Sequence, residues 1–427
     1  MRSALFLTSL AIASLGFAQA PSQKISLAEA LRLAHQNSPV LAGSTSDAEA
    51  ANSASKVAKA RLMPVISANG FATTGNNPGV MSSSPMVEPP AWMLIPAGGF
   101  LDGNLSLMLP IFAPRLRGMA SAASWQARAA AGDLAEARGD LDLQVTEAYS
   151  RVLLARQMVL TEGAKVAATK ELVRTSQALF EAGKGIEASV LRTQAELSRA
   201  QRALTSAQND EEKAGLDLQA TMGADFAIPL DPSDDLKNVN PLSDLPTYRL
   251  RAHSARGMVL AAHARQEAAS ADARAANGQH APSLYGVVMS DATNSPGMGG
   301  ITAGLTLSFP IFDGGRINTE VSQAKSMKSK ADSSLRLAEL TVEKEVRQAW
   351  LDVQTARANA ASAEASVKAA QSAYDVTALR VTAGKSILVE QLDALESLVR
   401  AKADLAQATF DHVIAVARLT RASGAQL

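Results

Sequence analysis

The sequence predicts a mixed α and β fold, a tandem repeat of long coiled α-helices with four β-strands per chain. Three observations predict it. The second half of the chain repeats the first, apolar residues recur at every seventh position through long proline-free stretches, and short segments alternate strictly between apolar and polar side chains.

The repeat comes first because it sets how many of each element to expect. Leu105-Ser-Leu-Met-Leu-Pro-Ile-Phe112 is answered by Leu305-Thr-Leu-Ser-Phe-Pro-Ile-Phe312, and Phe180-Glu-Ala-Gly-Lys-Gly185 by Val381-Thr-Ala-Gly-Lys-Ser386. Arg199-Ala200 matches Arg400-Ala401, and Gly223 matches Gly424. Upstream the match weakens to Ala34-His35 with Ala252-His253, and Pro64-Val-Ile-Ser67 with Pro282-Ser-Leu-Tyr285. Each copy reads helix, strand, strand, long helix, shorter helix. The copies are expected at 21–223 and 246–427, joined by an Asp-, Pro- and Asn-rich linker at 224–245.

The long helices are expected from about Arg115 to Ala182 and at the matching place in the second copy. Val145, Val152, Val159, Val166 and Val173, continued by Phe180, form a column of period seven. Val346, Val353, Ala360, Val367, Tyr374 and Val381 repeat it. Such a period implies a left-handed coiled seam. At 1.5 Å per residue each helix is a rod of roughly 100 Å. The shorter helices, at Ser26 to Met63 and Ile186 to Met222, are about half as long, so two end to end would match one long helix.

The strands have two faces. Ala303, Leu305, Leu307 and Phe309 alternate with Thr302, Gly304, Thr306 and Ser308, and Leu105, Leu107 and Leu109 with Asn104, Ser106 and Met108. That pattern suits a barrel wall with lipid on one side and water on the other, and equally a half-buried soluble sheet. Four strands are too few to close a membrane barrel, which needs about eight. Open sheet edges in lipid are prohibitively costly, so several protomers must share one barrel. Two, three or four protomers all satisfy this count. Residues 73–103 and 291–300 are expected as a long and a short loop between strands.

Export is expected from the first twenty residues. Arg2, the apolar stretch Leu5 to Leu15 and Ala18-Gln19-Ala20 read as a signal peptide at 1–20, too short to span a bilayer. The 427-residue chain has a formal net charge of zero and no basic cluster, which argues against nucleic acid as a partner. It contains no cysteine, so disulfides, thiol catalysis and a lipid-modified N-terminal cysteine are excluded. Aromatic residues make up 4% and alanine is abundant, which favours helices packed closely along their length over a compact enzyme core.

Pro310-Ile-Phe-Asp-Gly-Gly-Arg316, set between an alternating strand and a long helix, resembles the TolC-type outer-membrane efflux protein family. So do Ala383-Gly384, the run Val389-Glu390-Gln391-Leu392-Asp393-Ala394, and the duplication itself. The likeness covers about Ser26 to Gly424. The first copy departs from it, with Phe112-Ala-Pro-Arg115 at the turn. The resemblance implies an outer-membrane channel: a homotrimer with a twelve-stranded barrel in outer-membrane lipid and a helical tunnel crossing the periplasm. It also implies a periplasmic adaptor and an inner-membrane pump as partners.

The candidate residues lie at the helix turns. Gly183, Lys184, Gly384 and Lys385 join long to short helices, at the end of the rods away from the barrel. By resemblance these are the adaptor-docking tips; lysine stands here where the family often has the leucine of a Val-Gly-Leu turn. Glu390 and Asp393 are three apart on one helical face and match the family's acidic rings at the periplasmic entrance. Ser189 and Arg192 occupy the equivalent first-copy positions, so one repeat alone would line this channel gate. Neither a cofactor nor a metal is expected: His35, His253, His263, His280 and His412 show no ligand spacing. Gly384-Lys385-Ser386 mimics the end of a phosphate loop, but Leu379 replaces its first glycine and no strand precedes it. No nucleophile with a base emerges, so an enzyme is not expected. The function expected is a passive exit duct for small molecules. A duct for protein secretion and a secreted coiled-coil structural protein are the alternatives.

Overall fold

Alanine-rich sequence free of internal proline gives two very long helices, α3 (Pro114–Glu181) and α7 (Arg316–Thr382). Each is followed by a helix about half as long, α4 (Glu187–Met222) and α8 (Leu388–Ala422). In this computed structural model the described residues are 23–75, 79–82, 92–95, 98–226, 230–234, 244–293 and 299–425. The signal peptide expected at 1–20, much of the expected linker and the centre of the loop at 291–300 lie outside them.

The helix expected at Ser26 to Met63 is in fact two, α1 (Leu27–Asn37) and α2 (Pro39–Ala60). Pro39 supplies no N–H and forces the residue before it out of helical geometry, and Ser38 is extended. The second copy breaks at the same place without proline, between α5 (Leu245–Ala255) and α6 (Gly257–Asn277). There Arg256 adopts φ −69° and ψ 123°.

The chain divides into two compact units. The first holds the described residues within 1–39, 141–241 and 351–418. Its core gathers Leu172, Leu388, Leu392 and Leu395, flanked by Leu179, Tyr374 and Val381. Val145, Val152 and Val353 of the seven-residue columns are fully buried, whereas Val159, Val166, Val173, Ala360 and Val367 are half-buried. The linker region contributes a strand that periodicity missed: β6 (Leu230–Pro232) pairs in parallel with β1 (Gln23–Ile25). The buried Tyr149 hydroxyl ties this pair down, donating to the Ile25 carbonyl at 2.9 Å and accepting from the Ser233 and Asp234 N–H groups at 3.2 Å.

The second unit holds the described residues within 40–140, 242–350 and 419–427. Its sheet is antiparallel in the order β2 (Val65–Gly75), β5 (Gly98–Phe112), β7 (Ser283–Thr293), β8 (Gly300–Ser308). Register places Ile66, Leu107, Val288 and Ala303 side by side, and Leu109 and Leu305 on either side of Gly286. On the opposite face stand Ser67, Ser106, Met289 and Thr302, and Asn69 donates to Asn104 at 2.9 Å. The alternation read from sequence in β5 and β8 keeps its two faces in this register, whereas β7 is apolar on both, with Tyr285, Val287 and Met289 on the face of Ser106 and Thr302. Ile66 is 70% and Leu305 69% exposed, so the apolar face is bare on one chain. The stretch read as a loop at 73–103 carries a further ladder, β3 (Gly79–Ser82) with β4 (Trp92–Ile95). In this unit the small residues let helices touch backbone to backbone: a Cβ on Gly132 of α3 would come within 2.8 Å of the Ala261 nitrogen of α6.

One closure occurs in both copies. Gly223 ends α4 with φ +64°, and a Cβ there would meet the Asn37 carbonyl oxygen at 2.7 Å, beside the α1–α2 break. Gly424, after α8, has φ +72°, and a Cβ there would come within 2.8 Å of the Ala255 carbonyl carbon and the Arg256 nitrogen, at the α5–α6 break. Only glycine accommodates both the positive φ and the contact.

Candidate functional site

Both helix-to-helix turns have the same backbone. In the first, the Gly183 N–H donates to the Phe180 carbonyl and the Lys184 N–H to the Leu179 carbonyl, both at 2.9 Å. In the second, Gly384 donates to Val381 at 3.0 Å and Lys385 to Arg380 at 2.8 Å. This is the paired bonding of a Schellman cap, which needs a left-handed residue, and Gly183 and Gly384 both have φ +69°. Nothing lies within 4 Å of a Cβ at either glycine, so the requirement is conformational alone.

Lys184 and Lys385 are exposed, and among the described residues neither ammonium meets a carboxylate. Gly384-Lys385-Ser386 is thus a helix cap and has none of the strand-loop-helix setting of a phosphate loop. Sequence reading missed what surrounds the lysines. Ile186 and Ile387, equivalent in the two copies, are 67% and 63% exposed. Arg380 reaches over the second turn, with Nη2 3.5 Å from the Lys385 carbonyl oxygen. The repeated Gly-Lys-x-Ile was the available signal for the isoleucines.

Glu390 and Asp393 lie in the first turns of α8, opposite the buried Leu388, Leu392 and Leu395. Both are exposed on one face, as the spacing requires. Ser386 donates its hydroxyl to the Glu390 carboxylate, and Ser397 donates to the Asp393 backbone carbonyl at 3.0 Å. In the first copy the face carries Ser189 and Arg192, and a buried hydroxyl pair, Ser176 and Thr193 at 2.8 Å, fixes α3 to α4 behind it. At these two positions one repeat presents carboxylates and the other does not.

A charged cluster in the second unit was not legible in sequence. Arg256 is 2% exposed; its Nη2 lies 3.0 Å from Glu136 and 2.9 Å from Glu345, and its Nη1 donates to the Arg421 carbonyl at 2.5 Å. Arg421 donates to Asp140 at 2.7 Å and Glu136 at 2.9 Å. Glu136 also accepts from the Met258 N–H at 3.1 Å, at the start of α6. Burial lowers the Arg256 pKa, partly opposed by Glu136 and Glu345. This cluster holds the α5–α6 break where the first copy uses proline.

Comparison with known proteins now bears on these features. The sequence model of the family described as outer membrane efflux protein matches residues 30–224 and 251–425. The outer membrane efflux protein BepC of Brucella suis biovar 1 (strain 1330) is 28% identical over 288 residues, which cover 66% of this chain and 62% of BepC. The alkaline protease secretion protein AprF of Pseudomonas aeruginosa is 26% identical over 290 residues, 66% of this chain and 60% of AprF. The matched regions thus span less than two thirds of either relative. The crystal structure of the outer membrane protein VceC from Vibrio cholerae superposes with a TM-score of 0.77 at 19% identity, over 93% of this chain and 96% of VceC. It shares the fold.

Proposed function

This chain belongs to the outer membrane efflux protein family, and from that premise we propose that it is the passive exit duct of a tripartite efflux system for small molecules. It resides in the outer membrane, with its helices forming a tunnel in the periplasm. The observation that carries the reading is the four-stranded sheet, with one face that gathers Ile66, Leu105, Leu107, Val288, Leu305 and Leu307 and is bare on the single chain. Left in water, such a face wastes about 25 cal/mol for every Å² of apolar surface. Lipid covers the face, and further copies close the edges.

The assembly is a homotrimer, three chains contributing four strands each to one barrel. The partners are a periplasmic adaptor that meets the tips at Gly183, Lys184, Gly384 and Lys385, and an inner-membrane pump that supplies the energy. Glu390 and Asp393 form the gate: three copies of each converge on the axis, favouring cations and opposing anions. The chain performs no catalysis. The tandem copies at 21–223 and 246–427 are the structural units of the duct.

Deletion of the chain in its native host tests the function. Intracellular accumulation of toxic small molecules, reversed by the wild-type chain, is the expected result. Unchanged accumulation together with loss of proteins from the medium would replace it with protein secretion, the reading that similarity to AprF favours.

A further inference from the structure

The two tips share Ala-Gly-Lys-x-Ile, 182–186 and 383–387, although the helix positions that follow have diverged from Ser189 and Arg192 to Glu390 and Asp393. The glycines are explained by their positive φ. The isoleucines are not explained by the fold, and the lysines only by the weak attraction of a cation to the C-terminal dipole of the helix before them. Each lysine supplies only its backbone N–H to the cap, which any residue but proline would do. Ile186 is the N-cap of α4, with φ −112° and no side-chain cap bond, and Ile387 precedes α8 in the same way. Ser, Thr, Asp or Asn stabilise that position, and isoleucine is among the poorest choices. Both copies therefore keep an exposed branched apolar side chain that folding does not ask for, beside an exposed cation that it favours only weakly.

We propose that Lys184 with Ile186, and Lys385 with Ile387, are paired anchors for a partner protein that presents a carboxylate beside an apolar socket. The inference rests on the tip-docking reading above and names the partner's chemistry. The apolar contact comes from the isoleucine two residues beyond the lysine, and the lysine selects charge. The two tips differ in strength. Around Lys385 stand Arg380 and, one turn away, the single carboxylate of Glu390, so two cations outnumber one anion at this turn. Around Lys184 stand Glu181, bonded to Gln177, and Glu187 in the first turn of α4, which oppose an incoming carboxylate. The second tip is the dominant anchor.

The absence of cysteine allows a direct test in the full chain in its native host. Ala383→Cys, with Lys385 and Ile387 intact, is crosslinked in cells, and the captured protein and contact peptide are identified by mass spectrometry. Capture should fall about tenfold on Lys385→Glu, less on Lys184→Glu, and fall as well on Ile387→Ser. Replacing the Asp or Glu of the captured contact peptide by Lys should restore capture by the Lys385→Glu chain. Heat-modifiable migration of each variant confirms that the assembly is intact. A partner captured equally well by Lys385→Glu and Ile387→Ser overturns the inference and leaves tip docking standing. No partner captured from Ala383→Cys or from Ala182→Cys overturns both.

Discussion

The two copies break their first helix at the same place by opposite means. The first uses Pro39, a covalent constraint that needs no neighbours. The second uses Arg256, a buried charge held by Glu136, Glu345 and the Arg421 carbonyl. The backbone outcome is shared: Ser38 and Arg256 are both extended, and Gly223 and Gly424 close over them. Geometry at this joint is what the fold requires, and side-chain chemistry is free to differ. The helix-to-helix turns follow the same rule, with identical backbone leading into Glu390 and Asp393 in one copy and Ser189 and Arg192 in the other.

The largest effect should come from the noncovalent version of the break. Arg256→Met leaves Glu136 and Glu345 to Arg421 alone and is expected to cost about 3 kcal/mol. Pro39→Ala, at the equivalent joint, should cost less than about 1 kcal/mol. Guanidinium unfolding in detergent measures both, and equal losses would break the comparison.

Next come the glycines with positive φ. Gly424→Ala meets both a strained φ and backbone at 2.8 Å, and about 3 kcal/mol is expected. Gly384→Ala has the same φ but open space, so strain alone, about 1 kcal/mol, should remain. The ratio of the two sharpens the claim that contact, and not conformation, separates them.

The smallest effect concerns the strand-to-helix joints. The first runs through Ala113 and Pro114, with nothing to titrate. At the second, Asp313 accepts from the Ile317 N–H at 2.8 Å and the Gly315 N–H at 3.0 Å, and these bonds lower its pKa below the usual 3.8. A carboxyl depressed in the folded state stabilises above its unfolded pKa and loses that contribution as pH falls through its folded value. The protection of the Ile317 amide, measured against its intrinsic exchange rate at each pH, should therefore fall below about pH 4, and Asp313→Asn should abolish that dependence.

Period seven located the long helices and period two the strands β5 and β8, because both are local regularities of side-chain placement, and the repeat supplied β2 and β7 through the match of Pro64-Val-Ile-Ser67 with Pro282-Ser-Leu-Tyr285. The helix expected from Ser26 to Met63 runs through Pro39, the one local signal of its break. The β1–β6 pair escaped because three-residue strands carry no period. Arg256 and Arg421 escaped because each lies in an ordinary-looking helix and their acids come from 136, 140 and 345. Glu390 and Asp393 are singled out by resemblance together with spacing; the structure shows both exposed on one helical face and adds the Ser386 bond.

Single-channel recording in planar bilayers tests the central claim most directly. The wild-type assembly should conduct with a preference for cations, and Glu390→Gln/Asp393→Asn should conduct with that preference reduced or lost. A double variant with unchanged conductance and selectivity would contradict the gate, and a wild-type chain that forms no channel would contradict the duct itself.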